Sequence, residues 1–191
     1  VRDAFLGQQV HDLDFTTSAT PDQIETLVSP LADATWDVGR AFGTIAARFG
    51  EHTIEITTYR ADSYDGQSRK PTVEFGDNLD DDLVRRDFTV NAMAVRVPGV
   101  VLVDPHGGLH NLTEGILSTP SSPEVSFADD PLRMMRACRF VAQLGMSLEA
   151  DTAAALQSMV GKIADISAER VREEFVRMVS LDAPRPGIEV F

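Results

Sequence analysis

Residues 11–17, HDLDFTT, set two aspartates one residue apart inside a short apolar stretch. Side chains of a strand alternate between faces, so Asp12 and Asp14 project together, about 6.6 Å apart, while Leu13 and Phe15 project from the opposite face. Two carboxylates that close repel unless positive charge sits between them. Mg²⁺ provides it: the ion takes one or two carboxylates together with phosphate and water oxygens, and a pair of such ions about 3.5–4 Å apart clamps an in-line phosphoryl displacement. Taken alone the pattern has a second reading, two acids on an edge strand facing solvent, because D-x-D recurs by chance.

A partner strand follows. Residues 52–59, HTIEITTY, alternate again, with Ile54 and Ile56 on one face and Glu55 and Thr57 on the other, so Glu55 becomes a third acid on a polar strand face. Between the two, Thr20-Pro21-Asp22-Gln23 carries an N-cap, a proline at the first helical position and the glutamine of a capping box, followed by an apolar stripe of Ile24, Leu27, Val28 and Leu31. Residues 61–83 are rich in Asp, Gly and Ser, hold the basic pair Arg69-Lys70, and read mostly as a mobile loop. VVLVD, residues 100–104, reads as a compact buried strand ended by the turn Pro105-His106-Gly107-Gly108.

After a Ser- and Pro-rich stretch near 118–128 the pattern turns helical. Met134, Cys138, Val141 and Leu144 share one face of a helix that begins at Asp130-Pro131 and stops at Gly145; further helices fit 149–160 and 168–180, the latter capped by Ser167. The expected fold class is α+β, a mixed-sheet domain followed by a helical one.

Bulk composition sets limits. The 191 residues, 43% hydrophobic and 25% charged, suffice for a substantial core. A net charge of -13 argues against indiscriminate attraction to nucleic acid or anionic lipid and leaves room for a local basic site. The one cysteine, Cys138, excludes an intrachain disulfide framework, and no His/Cys spacing fits structural zinc. No apolar run has the length of a membrane span and no signal-peptide pattern is present, so a cytoplasmic setting is expected.

Arginine placement corroborates the acidic strands. LVRRDFTVNAMA, residues 83–94, sets Arg85, Arg86 and Asp87 ahead of an apolar segment, and ADDPLRMMRACRF, residues 128–140, is expected to put Arg133, Arg136 and Arg139 on the helix face opposite its apolar stripe. An isolated arginine there would pair with nearby acids. Three on one face repel one another, and the planar guanidinium fork suits phosphate oxygens. A metal-bound nucleoside triphosphate relieves the repulsion on both sides.

In order and spacing, VRDAFLGQQVHDLDFTT, RRDFTVNAMA, DPHGGLHNL and DDPLRMMRACRF closely resemble the class II tRNA nucleotidyltransferases, the CCA-adding enzymes, and their bacterial poly(A) polymerase relatives, from Val1 to about Arg177. The resemblance implies a polymerase-beta-like nucleotidyltransferase head with a mixed sheet over residues 1–122 and an all-helical neck over 123–191 that recognises the base, with body and tail domains absent from this chain. It also implies CMP and AMP transfer from CTP and ATP to the tRNA 3′ end with Mg²⁺. Asp12 and Asp14 match the paired metal-binding aspartates and Glu55 the third catalytic acid. Two metal ions would assist attack of the 3′-hydroxyl on the α-phosphate.

Arg2, Arg86 and Arg136 resemble residues that hold phosphates or position the nucleotide, with Arg139 assigned to the same nucleotide-binding set. Asn91 and Asp87 lie where the family contacts the sugar or braces the site, and Asp87 reads equally as a structural partner for an arginine. Asp130 and Arg133 match the amino-acid template that selects the base: a carboxylate accepts from the exocyclic amine of cytosine or adenine, whereas uracil and guanine present a carbonyl there. Asp130 also reads as an N-cap.

Two departures stand out. Asp129 replaces the usual Glu, and the Gly-Gly pair that relatives carry before Val-Arg-Asp is not present ahead of Val1, which leads us to expect upstream sequence. GRAFGTI, residues 39–45, stands where bacterial poly(A) polymerases tend to have a longer Gly-Arg-Arg-Phe signature, which ranks CCA addition first. Poly(A) synthesis, partial CC or A addition, and a catalytically incomplete nucleotide- or RNA-binding fragment are the alternatives.

Overall fold

The structure, a computed structural model, describes residues 1–10, 13–63 and 72–191. Two compact units divide the chain, Asp3–Leu83 and Val84–Phe191, the second including Val1–Arg2.

The first unit opens with α1 (Arg2–Phe5), β1 (Leu13–Thr17) and α2 (Pro21–Val28). The predicted capping box starts α2: Thr20 Oγ1 accepts from the Gln23 N–H at 3.4 Å, and Gln23 Oε1 accepts from the Thr20 N–H at 2.9 Å. Strands β2 (Ala34–Trp36), β3 (Thr44–Phe49) and β4 (His52–Thr58) join β1 in a sheet of order β1-β4-β3-β2. The sheet is mixed, since β1 runs parallel to β4 while β3 is antiparallel to both of its neighbours. Ile45 and Ala47 of β3 are fully buried, and α2 packs on this strand with Pro21 and Ile24 buried. Leu27 and Leu31, expected in the same stripe, stay exposed: Leu31 lies beyond Val28, where the helix ends, so the 3.6-residue period does not carry it back to the sheet, and Leu27, though helical, faces away from it.

Of the stretch 61–83, expected from its composition to be mostly loop, residues 64–71 lie outside the described residues, and the described ones differ from that expectation. β5 (Arg60–Ser63) pairs antiparallel with β6 (Thr72–Phe75), and α3 (Leu79–Val84) follows. The buried Asp82 side chain accepts from the Arg60 backbone N–H at 3.4 Å, so part of the polar content satisfies backbone rather than solvent. Arg69 and Lys70 lie outside the described residues.

In the second unit β7 (Ala94–Arg96) and β8 (Val101–Val103) form a two-stranded ribbon, followed by α4 (Gly108–Glu114) and β9 (Ile116–Leu117). VVLVD is not buried as its composition suggests: among the described residues β7 and β8 pair only with each other, and Val100 and Val101 are exposed. Asp104 starts α4, its carboxylate accepting from the N–H groups of Gly108 (2.6 Å) and Leu109 (2.9 Å). A Cβ at Gly108 would collide with the Thr89 carbonyl oxygen and sit 2.8 Å from Met93 Cγ, so glycine lets α4 lie directly on the 89–91 turn. Asn111 of α4 donates to Thr89 Oγ1 at 2.8 Å and Ser118 Oγ at 2.5 Å, and thereby fixes that turn.

Helices α5 (Pro123–Asp129), α6 (Leu132–Leu144), α7 (Ala150–Met159), α8 (Ala168–Val179) and α9 (Arg185–Val190) complete the unit, with the short β10 (Ser147–Leu148) beside β9. Gly145, in the left-handed region at φ 66°, ends α6 as predicted. Met134, Cys138 and Val141 are buried on its apolar face. Burial pushes the Cys138 thiol up to about 11, which keeps it protonated and inert. The core does not respect the Ser- and Pro-rich boundary expected near 118–128. Phe88, Val90 and Leu117 join Phe127, Met134 and Phe140 in one cluster, with Phe88 edge-on to Phe140 at 5.7 Å.

Helix α9 docks on α6 through Gly187, where a Cβ would meet the Cys138 carbonyl oxygen and lie 2.9 Å from Met178 Sδ. Gly187→Ala is expected to force the two helices apart at a cost of about 1–3 kcal/mol. Urea unfolding of the two proteins measures this; equal midpoints would mean that α9 yields without loss.

Candidate active site

Two groups of side chains stand out, one in each unit. In the sheet, β1 and β4 pair in register with Leu13 opposite Ile54, Asp14 opposite Glu55 and Phe15 opposite Ile56. Adjacent parallel strands lie about 4.8 Å apart, so directly opposed residues share a face. The Asp14 and Glu55 carboxylates are therefore neighbours on one exposed face. Ala46, opposite Glu55 on β3, adds no bulk beside it. Asp12 lies outside the described residues. Among the described residues no group of three or more His, Cys, Asp or Glu side chains is placed to hold a metal ion. Asp14 and Glu55 alone supply two hard oxygen donors of the type that Mg²⁺ and Ca²⁺ take, and no sulfur or imidazole.

The second group is a chain of bonds from the N-terminus to α8. Arg2 Nη1 donates to Asn91 Oδ1 at 2.6 Å, and Asn91 Nδ2 donates to Asp87 Oδ1 at 3.0 Å. Arg136 clasps Asp87 Oδ2 through Nε (2.9 Å) and Nη2 (2.5 Å), while its Nη1 lies 3.6 Å from Glu174 Oε1. Arg139 Nε donates to Glu174 Oε2 at 2.7 Å and its Nη1 to Gln143 Oε1 at 2.6 Å. The guanidinium carbons of Arg2, Arg136 and Arg139 lie 5.3, 5.5 and 4.2 Å from the centre of the Phe140 ring, whose π face offsets their mutual repulsion.

Arg139 departs from the face expected for it. It is 9% exposed and turned to Glu174 on α8, because the apolar stripe of α6 is wide enough to carry it inside and α8 meets it there with an acid. Arg86 is exposed, and Asp129 likewise.

Burial works to raise the Asp87 carboxyl, but the Arg136 charge together with hydrogen bonds from Asn91, Arg136 and the Phe88 N–H outweighs it and holds the group below its ordinary value. Arg136 is moved the other way: burial disfavours its charge, and Asp87, followed by Glu174 and Asp130, more than compensates. A carboxyl lowered in the folded state contributes stability that is complete above its unfolded pKa and lost as pH falls through the folded one. Stability is therefore expected to fall as pH drops below the ordinary carboxylate range, about 4. Asp87→Asn should flatten this acid limb when urea midpoints are compared between about pH 6 and pH 2; an unchanged acid limb would contradict it.

Asp130 and Arg133 flank the start of α6. Asp130 Oδ1 accepts from the Leu132 N–H at 3.2 Å although the N-cap position itself falls on Pro131, one residue later than expected, and Oδ2 accepts from Arg170 Nη2 at 3.1 Å. Arg133 reaches Ser126 and the Arg85 carbonyl. Ser126, Phe140, Arg170 and Glu174 had not been singled out by sequence reasoning. Glu174 sits in a helix rich in Glu and Arg, where only packing distinguishes the inward acid from its exposed neighbour Glu173.

Residues 1–118, which hold the parallel acidic strand pair, match the family described as "Poly A polymerase head domain", while residues 145–191, within the helical unit, match "Probable RNA and SrmB- binding site of polymerase A". The chain belongs to the poly(A) polymerase head domain family. Within that family it is similar to the CCA-adding enzyme of Lactobacillus helveticus, 41% identical over all of this chain and 47% of the relative. Its structure is similar to that of the Bacillus stearothermophilus CCA-adding enzyme in complex with CTP (TM-score 0.87, 34% identity, 99% of this chain and 45% of that one). A tRNA nucleotidyltransferase complexed with a primer tRNA and an incoming ATP analog is also similar (TM-score 0.82, 29% identity, 99% and 53%). The chain thus spans about half the length of these proteins. Among its described residues no helix is long and apolar enough to cross a membrane.

Proposed function

We propose that this chain carries the nucleotidyl-transfer and base-selecting part of a cytoplasmic CCA-adding enzyme, which transfers CMP and AMP from CTP and ATP to the 3′ end of tRNA. The observation that carries the reading is the in-register pairing of Asp14 with Glu55. With Asp12, these carboxylates would hold Mg²⁺, Asp12 and Asp14 as its principal ligands. Bound there as a pair, such ions would lower the pKa of the attacking hydroxyl and neutralise charge on the departing pyrophosphate.

The RNA 3′-hydroxyl gives its proton to solvent as its oxygen attacks the α-phosphorus, and the bond from that phosphorus to the bridging oxygen breaks to release pyrophosphate. Arg2, Arg86 and Arg136 steady the phosphates with charge-assisted bonds. Asn91, bonded to both Arg2 and Asp87, meets the sugar; Asp87 holds the Arg136 fork, and Arg139 acts on the same guanidinium through Glu174. Asp130 and Arg133 select the base. Uracil or guanine would face the Asp130 carboxylate with a carbonyl, and the unpaired acceptors disfavour them. In this reading residues 1–122 act as the head, 123–191 as the neck, and the main grip on the tRNA lies in body and tail domains of the family.

The description of residues 1–118 favours a second reading, poly(A) addition. Labelled CTP and ATP supplied separately with Mg²⁺ to tRNA lacking its CCA end, and to tRNA ending in CC, separate the two. CMP incorporation into the first and a single AMP into the second is expected. Repeated AMP addition without CTP would favour poly(A) synthesis, and incorporation of neither would overturn both.

A further inference from the structure

The Asp130/Arg133 pair is held from a single buried residue. Ser126, on α5, is fully buried. Its Oγ accepts from Arg133 Nη1 at 2.8 Å, and its carbonyl oxygen takes a longer bond from the same nitrogen at 3.4 Å. That carbonyl also accepts the Asp130 backbone N–H at 3.3 Å. A second tether runs from Arg133 Nη2 to the Arg85 carbonyl at 2.5 Å. Of the five guanidinium N–H groups these bonds engage the end of the fork, and Nε–H is in none of them. Asp130 in turn has one oxygen on the Leu132 N–H and the other on Arg170. Each carboxylate oxygen offers two lone pairs, so both keep acceptor capacity.

We propose that Ser126 is the positioning residue that sets the register of Asp130 against Arg133, and thereby fixes base choice; this rests on the base-selecting reading of that pair. A long side chain with three or more rotatable bonds adopts many rotamers unless it is tethered. With the Ser126 hydroxyl gone, Arg133 keeps the two backbone carbonyls but loses its side-chain acceptor, and Nη1 is left with only the 3.4 Å bond. Its donors then reach a mismatched base more easily. Triphosphate contacts lie on other residues, so the effect belongs to the identity of the base.

The test is the ratio of CTP to UTP incorporation into tRNA lacking its CCA end, measured for the unmodified chain, Ser126→Ala, Arg133→Ala and the double variant. The same four proteins are titrated calorimetrically with CTP and UTP as a readout independent of RNA. Ser126→Ala is expected to lower the ratio about tenfold, the size of one hydrogen bond to a charged group. The double variant should discriminate no worse than Arg133→Ala alone, since both act through one guanidinium. Ser126→Thr, which keeps the hydroxyl, should restore much of the ratio if it melts within a few degrees of the unmodified chain. An unchanged ratio in Ser126→Ala while Arg133→Ala is relaxed overturns the role of Ser126 alone, as does equal loss with both nucleotides or full additivity in the double variant. Normal discrimination in Arg133→Ala overturns the base-selecting reading and the proposal with it.

Discussion

Asp14→Ala is expected to reduce nucleotide incorporation by about 10³-fold, the loss seen when a preorganised charge contact to a transition state is removed. Stability should barely move. Asp14 is exposed on β1, so no buried group is stranded when its carboxylate goes, and surface changes of this kind stay within about 0.5 kcal/mol. Removing one of two neighbouring like charges even relieves repulsion with Glu55, which lies directly opposite. Incorporation and urea unfolding measured on one preparation separate the two effects. Asp14→Asn, which keeps the shape and removes the charge, should behave like the alanine variant. Turnover within tenfold of the unmodified chain in either variant would end the acidic-pair assignment.

Glu174→Ala reverses that pattern and acts first on stability. The Glu174 carboxylate is almost wholly buried, accepts from Arg139 at 2.7 Å, and has guanidinium nitrogens of Arg136 and Arg177 at 3.6 and 3.5 Å. Truncation leaves the buried Arg139 with Gln143 and the Phe140 face, and breaking one partner out of a buried ion pair costs about 3–5 kcal/mol. That is a large part of the 5–15 kcal/mol by which domains are ordinarily stable, so the urea midpoint should drop steeply. Replacing both Arg139 and Glu174 by apolar residues of similar size should recover most of the loss, since paired removal strands no charge. A loss of stability under about 1 kcal/mol for Glu174→Ala would mean that water or a neighbouring acceptor takes over the site.

What could be read from the sequence divides along physical lines. The α2 capping box, the apolar face of α6 and its glycine stop were legible because each depends on residues a few positions apart. The opposition of Asp14 and Glu55 was legible in kind, since alternation put each on a polar face, but only pairing of β1 with β4 fixed the register. Within 61–83 the described residues 61–63 and 72–83 were misread, because the polar composition of a paired strand and a short helix is indistinguishable from that of a loop until Asp82 turns inward. VVLVD was misread because an apolar run does not reveal whether anything covers it. Of the template pair, Asp130 and Arg133 were visible through family resemblance, whereas Ser126 was not: a serine four residues ahead of an aspartate carries no signal until the helix turn brings its hydroxyl to the guanidinium.

Phe88, Val90 and Leu117 share one hydrophobic cluster with the helices that follow. A fragment started at Pro123 for expression would carry those helices with their inner surface stripped of these partners, and a fragment stopped just before it would keep Phe88 without Phe127, Met134 and Phe140. Anyone dividing the protein for separate study would do better to cut near residue 84.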